Sequence, residues 1–157
     1  MFYSLTGKLI FKDEQSIAIS CGGVGFKCQT TRSTLSALAL KKDEEITVFT
    51  HLNVREDALD LFGFLTENEL DAFKMLITVS GVGPKAALAI LSELSSEQIA
   101  MCVSSSDYKT LTRASGVGPK LAQRIVLELK DKIKGLLSRP NFFLASSLLV
   151  SIIDCLI

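Results

Sequence analysis

Ser80-Gly81-Val82-Gly83-Pro84-Lys85 recurs as Ser115-Gly116-Val117-Gly118-Pro119-Lys120, 35 residues later. The likeness continues beyond the hexapeptide: Ala87, Ile90, Glu93 and Leu94 return as Ala122, Ile125, Glu128 and Leu129. Each copy follows a helix-like stretch and opens another. Proline suits the first helical position, where its missing N–H costs nothing. Gly83 then falls at the cap, and Gly81 is free to take a positive φ. With no side chain at either glycine, a phosphate can approach the backbone and meet the N–H groups at the positive end of a helix. Lys85 adds a full charge one residue into that helix. Gly116, Gly118 and Lys120 repeat the arrangement, with Arg124 one turn further on. The candidate backbone-binding set is therefore Gly81, Val82, Gly83, Lys85, Gly116, Val117, Gly118, Lys120 and Arg124. Such contacts position a nucleic-acid backbone without reading its bases.

Two other readings of the turns compete. A single copy is equally an ordinary glycine turn between packed helices; duplication with a shared lysine favours the phosphate reading. A dinucleotide fingerprint does not fit, because the third glycine of G-x-G-x-x-G is missing and a helix precedes the turn where a strand should stand. There is also no G-x-x-x-x-G-K-[ST] and so no visible site for ATP hydrolysis.

Upstream of the repeat the pattern is β. Leu5, Leu9 and Phe11 mix with polar neighbours, Ser16–Cys21 alternates, and Phe26–Thr30, Ile46–Leu52 and Leu59–Phe64 are further short runs. Gly22-Gly23 makes a tight turn between the second and third runs. Thr31–Ala39 reads as a short interposed helix. Five short strands with one helix between them suit a small barrel of the OB type.

From Thr66 the period becomes helical. Thr66-Glu67-Asn68-Glu69 and Ser95-Ser96-Glu97-Gln98 are capping boxes, the second opening a helix to about Ser104. Leu70, Phe73, Leu76 and Ile77 form an apolar stripe behind the first. Asp107–Ala114 reads as a short helix. Pro119–Leu137 reads as the longest, with Leu121, Ala122, Ile125, Val126, Leu129, Ile133 and Leu136 inward. The fold class expected is α+β: an OB barrel over 1–64, an all-α unit with the tandem glycine turns over 65–137, and an atypical apolar tail over 138–157.

The 17 Lys and Arg balance the 17 Asp and Glu, which is not the composition of a uniformly basic nucleic-acid binder. The distribution is uneven. Residues 1–62 carry seven Lys/Arg against eight Asp/Glu, whereas residues 109–139 carry eight against two, a net of +6 around the second turn. Cys21, Cys28, Cys102 and Cys155 form no C-x-x-C pair, and the single His51 completes no zinc site. They read as reduced packing residues of a cytosolic protein. No cofactor is expected. MFYSLTGKLIF lacks the layout of a signal peptide. Ser138-Arg139-Pro140-Asn141 should end the long helix. The 16 residues of Phe142–Ile157 fall short of the roughly 20 that a membrane-spanning helix needs, so no membrane partner is expected.

The turn sequence S-G-V-G-P-K-x-A resembles the helix-hairpin-helix motif, which occurs in tandem in several DNA repair and recombination proteins. Phe49-Thr50-His51-Leu52-Asn53-Val54-Arg55-Glu56-Asp57-Ala58, followed by Leu61-Phe62-Gly63-Phe64, narrows the likeness. So do Gly22-Gly23-Val24-Gly25-Phe26 and Glu128-Leu129-Lys130-Asp131. Together they resemble the RuvA family of Holliday-junction-binding subunits of the bacterial branch-migration complex, in register over about residues 1–137. The resemblance implies a homotetramer in the cytoplasm with four-way junction DNA spread across one face, a separate RuvB ATPase and the RuvC resolvase as partners, and no catalytic role for the chain itself. It also implies an acidic pin at Glu56 and Asp57, flanked by Arg55. Two adjacent carboxylates on a tight β-connection repel phosphate, and four subunits would gather eight of them where the arms part.

The likeness has two departures. Pro119 stands where RuvA sequences often carry a second basic residue. Family members also continue into a third helical domain that contacts RuvB, and Phe142–Ile157 does not resemble it, so the RuvB partnership is expected without its usual docking domain. A general DNA-binding module with no preference for branched structures is the alternative. A glycosylase or lyase is a third reading, but Asp131, Lys130 and Lys132 lie along one long helix and form no pocket constellation.

Overall fold

A computed structural model describes residues 2–39, 41 and 44–137. The chain divides into two compact units, Met1–Leu70 and Asp71–Ile157. In the first, β1 (Ser4–Lys12), β2 (Ser16–Cys21), β3 (Val24–Gln29), β4 (Glu45–Val54) and β5 (Leu59–Phe64) close into a barrel in the order β1-β2-β3-β5-β4. Neighbours run antiparallel except β3 and β5, which are parallel through Gln29 and Phe62. α1 (Arg32–Ala37) lies in the connection from β3 to β4. This is the OB arrangement expected from the sequence.

Period-2 alternation fills the barrel. Leu5 and Leu9 of β1 point inward with Ile17, Ile19, Cys28, Ile46 and Val48, and Leu35 and Leu38 from the α1 segment pack on them. The line suggested by Leu5, Leu9 and Phe11 does not hold throughout. A bulge between Leu9 and Phe11 shifts the register against β2, and Phe11 comes out 49% exposed. One extra residue in a strand sends every later side chain to the opposite face.

α2 (Glu67–Ile77) begins on Thr66, whose hydroxyl accepts from the Glu69 N–H at 3.2 Å. The expected capping box is completed differently. The Glu69 carboxylate accepts hydroxyl hydrogen bonds from Thr31 at 2.5 Å, Ser33 at 2.6 Å and Thr34 at 3.1 Å. Three hydroxyls around one carboxylate hold it more firmly than a single backbone N–H. The first turn of α2 is thereby tied to the N-terminus of α1, and the division between the units falls after Leu70.

The second unit holds α3 (Pro84–Glu93), α4 (Ser96–Ser105), α5 (Tyr108–Leu111) and α6 (Pro119–Leu137). The box at Ser95 and Gln98 is complete in both directions. α5 is shorter than the expected Asp107–Ala114. The N–H groups of Thr112, Arg113 and Ala114 bond to carbonyls three residues back, a tightened exit that ends the helix early. Phe73, Leu76, Ile90, Leu111, Ile125 and Leu129 are almost wholly buried, so the inward stripes expected of α2 and α6 are largely as read. Ile77 and Leu121 are half-buried. Ile133, Leu136 and the apolar tail lie outside the described side chains. Among the described residues no single helix is long and apolar enough to cross a membrane, and no buried side-chain nitrogen or oxygen lacks a partner.

Cys28 is fully buried in the barrel. Burial, with Cys21 as a second cause, pushes its thiol up to about 12, so it is unreactive at neutral pH.

Candidate nucleic-acid interface

The two glycine turns are built alike, bond for bond, at the 35-residue offset of the sequence. Gly81 has φ +87 and Gly116 φ +80. The Val82 N–H donates to the Val79 carbonyl at 3.0 Å, and the Val117 N–H to Ala114 at 3.1 Å. The Ala87 N–H donates to Gly83 at 3.0 Å, and the Ala122 N–H to Gly118 at 2.9 Å. Both valine side chains are buried, while the four glycines, Lys85 and Lys120 are exposed. Within the expected contact set, Val82 and Val117 therefore anchor the turns and have already committed their N–H groups. The open surface consists of glycine backbone, helix N-terminus and lysine.

Gly83 caps α3 with φ −85 and ψ 170, Pro84 stands in the first turn, and no side chain caps the helix. The N–H groups of Lys85 and Ala86 lie in the first turn, ahead of any intrahelical acceptor. The local charges sharpen the point. α2 opens with Glu67 and Glu69, and α4 with Glu97, each acid compensating a positive helix end. α3 and α6 have no acid in the first turn; both carry a lysine there instead. A lysine beside a positive helix end is unfavourable unless an anion joins it.

Arg124 takes a place the sequence did not indicate. Its guanidinium donates to the Ser80 carbonyl at 3.3 Å and lies 3.5 Å from where a Cβ on Gly81 would stand. It thus serves the first turn, although it follows the second in sequence. Two residues outside the expected set join it. The Glu128 carboxylate accepts from the Ser80 N–H at 3.2 Å, and the Lys132 ammonium donates to the Thr78 carbonyl at 2.8 Å and the Thr78 hydroxyl at 2.6 Å. Their spacing of four on α6 marks a single helix face, the one available signal of a shared role.

On the barrel, β4 and β5 are joined by Arg55-Glu56-Asp57-Ala58. The turn is closed by the Arg55 N–H donating to Ala58 at 2.8 Å and the Ala58 N–H to Arg55 at 3.4 Å. Glu56 and Asp57 are exposed, and among the described residues no hydrogen bond or ion pair engages either carboxylate. Arg55 does not neutralise them. Its guanidinium pairs with Asp60 at 2.8 Å, and Asp60 also accepts from Gln29 at 3.4 Å. The tip therefore presents two uncompensated negative charges.

A closed OB barrel followed by twin helix-hairpin-helix turns defines a class of proteins that hold nucleic-acid backbone. Comparison with known sequences narrows it. The RuvA N terminal domain family matches residues 1–63, and the SAM-like Helix-hairpin-helix tandem family matches residues 73–131. Proteins described as Holliday junction branch migration complex subunit RuvA are similar along most of the chain. The one from Acetivibrio thermocellus is 48% identical over 134 residues, covering 85% of this chain and 66% of the relative. That from Dehalococcoides mccartyi is 46% identical over 133 residues, covering 85% and 68%. That from Halorhodospira halophila is 41% identical over 135 residues, covering 86% and 66%. The chain belongs to the RuvA family.

Proposed function

We propose that the chain is a structure-specific DNA-binding subunit that binds four-way junctions and supports branch migration by a separate RuvB motor in recombination and repair. The observation that carries this reading is the pair of glycine-led helix N-termini, each with lysine and no acid in the first turn, whereas α2 and α4 open with acid. They suit phosphates, and their backbone character suits binding that ignores sequence. Gly81, Gly83 and Lys85 form one grip and Gly116, Gly118 and Lys120 the other, with Val82 and Val117 as anchors beneath and Arg124 adding charge beside the first. Glu56 and Asp57 act oppositely: at the point where arms separate they repel backbones and disfavour a closed duplex. The subunit performs no chemistry of its own. It works in the cytoplasm as a homotetramer that joins RuvB and RuvC on the junction, and needs no cofactor.

Binding of a four-way junction and of a linear duplex of equal length, measured by fluorescence anisotropy at one salt concentration, tests the central claim. Preference for the junction is expected. Equal affinities leave only the general DNA-binding module. Sedimentation of the free chain tests the tetramer, and a pull-down with RuvB tests the motor partnership.

A further inference from the structure

The phosphate reading does not account for Glu128. An acid beside a phosphate grip lowers its affinity, yet this carboxylate reaches the residue next to Gly81. Ser80 is bracketed by α6, with its N–H held by Glu128 at 3.2 Å and its carbonyl by Arg124 at 3.3 Å. One turn further along α6, Lys132 holds Thr78, the residue immediately after α2, placing a cation where helix carbonyls gather. The three side chains fix the segment leading into the left-handed Gly81, and that segment determines where the α3 N-terminus points. The sequence repeat carries no equivalent guanidinium: Ala89 of α3 corresponds to Arg124. α3 also ends at Glu93, whereas α6 runs on to Leu137, and only that extension supplies Lys132.

We propose that Glu128 is a positioning residue for the first phosphate grip, working with Arg124 and Lys132 to hold Thr78 and Ser80. The helix that opens at the second grip thus braces the first. The inference rests on the junction-binding reading above and adds a residue whose charge has the wrong sign for contacting DNA. That sign makes it testable. Simple electrostatics predicts that removing Glu128 tightens DNA binding, because one repulsion disappears. The brace predicts that losing the acceptor geometry weakens it.

The experiment compares Glu128→Asp, Glu128→Gln and Glu128→Ala in the full chain, measuring junction affinity at fixed salt alongside urea unfolding. Glu128→Asp keeps the charge but draws the carboxylate back from Ser80, and about tenfold weaker binding is expected from the lost charge-assisted bond. Glu128→Gln keeps an acceptor at full length and should bind at least as tightly as wild type. Glu128→Ala should weaken binding about as much as Glu128→Asp. Added to Lys85→Ala, Glu128→Asp should change little further, because the same grip is already impaired; added to Lys120→Ala it should act in full. Glu128→Asp binding as well as wild type, or equal effects in both lysine backgrounds, overturns the brace while leaving junction binding intact. A wild-type chain that does not bind the junction overturns both readings.

Discussion

Gly83→Ala should separate folding from binding. At φ −85 and ψ 170 the backbone lies in a region that alanine adopts without strain. A Cβ there would meet nothing within 4 Å, so the methyl group displaces no protein atom. Two smaller effects oppose one another. Loss of glycine freedom in the unfolded chain stabilises by about 0.4–1 kcal/mol, and alanine is a poorer N-cap than glycine by roughly 0.5–1 kcal/mol. Net stability should stay within ~0.5 kcal/mol of wild type. The same methyl stands where a phosphate approaches the first-turn N–H groups of α3. Losing one hydrogen bond to a charged oxygen costs about 1.5–3 kcal/mol, or roughly tenfold in affinity or more.

Gly81→Ala gives the opposite profile two residues away. Its φ of +87 imposes about 1–2 kcal/mol of strain on any L-residue, so folding suffers directly. Urea unfolding and junction anisotropy on both variants, at one salt concentration, distinguish them. Gly83→Ala that unfolds like wild type and also binds like wild type would refute the reasoning: the glycine would then serve only the turn. Gly118→Ala, with equally open space around it, repeats the test on the second grip.

Lys120→Ala should weaken binding to junction and duplex alike and lower the salt slope by about one unit; the surrounding positive charge should make its loss exceed that of Lys85→Ala in the same titration. Glu56→Gln with Asp57→Asn should leave junction affinity unchanged or raised and reduce the preference over linear duplex, and a marked loss of junction affinity would show that the tip attracts DNA. Asp107, which caps α5, has its carboxyl held below the usual range by hydrogen bonds from the Thr110 hydroxyl and then the Thr110 N–H. A depressed folded-state pKa means that its stabilisation is complete above the ordinary carboxyl range and is lost as pH falls through the folded value. Asp107→Asn keeps an acceptor at the cap without titrating, so its stability should fall less steeply than wild type's between about pH 5 and pH 2, as followed by circular dichroism.

What the sequence disclosed depended on whether each signal was local. The glycine turns were legible because proline, glycine and cap geometry operate within six residues, and the repeat supplied an internal control. The barrel was legible from alternation, except where the bulge beyond Leu9 broke the period; a bulge shows only when two strands are laid side by side. Glu69 looked like half of a capping box because its local partner is obvious, whereas the hydroxyls of Thr31, Ser33 and Thr34 lie more than thirty positions away. Arg124 follows the second turn in sequence, and local spacing groups it there. Its actual partner, Ser80, is 44 residues upstream, and no propensity or period carries information over that distance.

The identity of the two hexapeptides conceals a division of labour. Each copy presents the same glycine backbone and the same lysine, so binding chemistry alone predicts equivalent grips. The helices behind them differ. α3 has 10 residues and α6 has 19, and the added length brings Lys132 to Thr78 while Arg124 and Glu128 hold Ser80. Duplication of a turn copies its ligand-facing atoms, and Glu93 stands at the position of Glu128, but Arg124 and Lys132, which also hold the first turn, have no basic counterpart at the repeat offset. The first grip therefore depends on a face of the second copy's helix, and a substitution on α6 can impair a turn more than forty residues away without touching DNA. The polarity also explains why an acid is tolerated beside a phosphate site. Glu128 repels phosphate weakly through solvent, at about 1 kcal/mol or less per charge at close range in water, whereas a misplaced turn loses its whole set of backbone contacts. Geometry outweighs charge at that position.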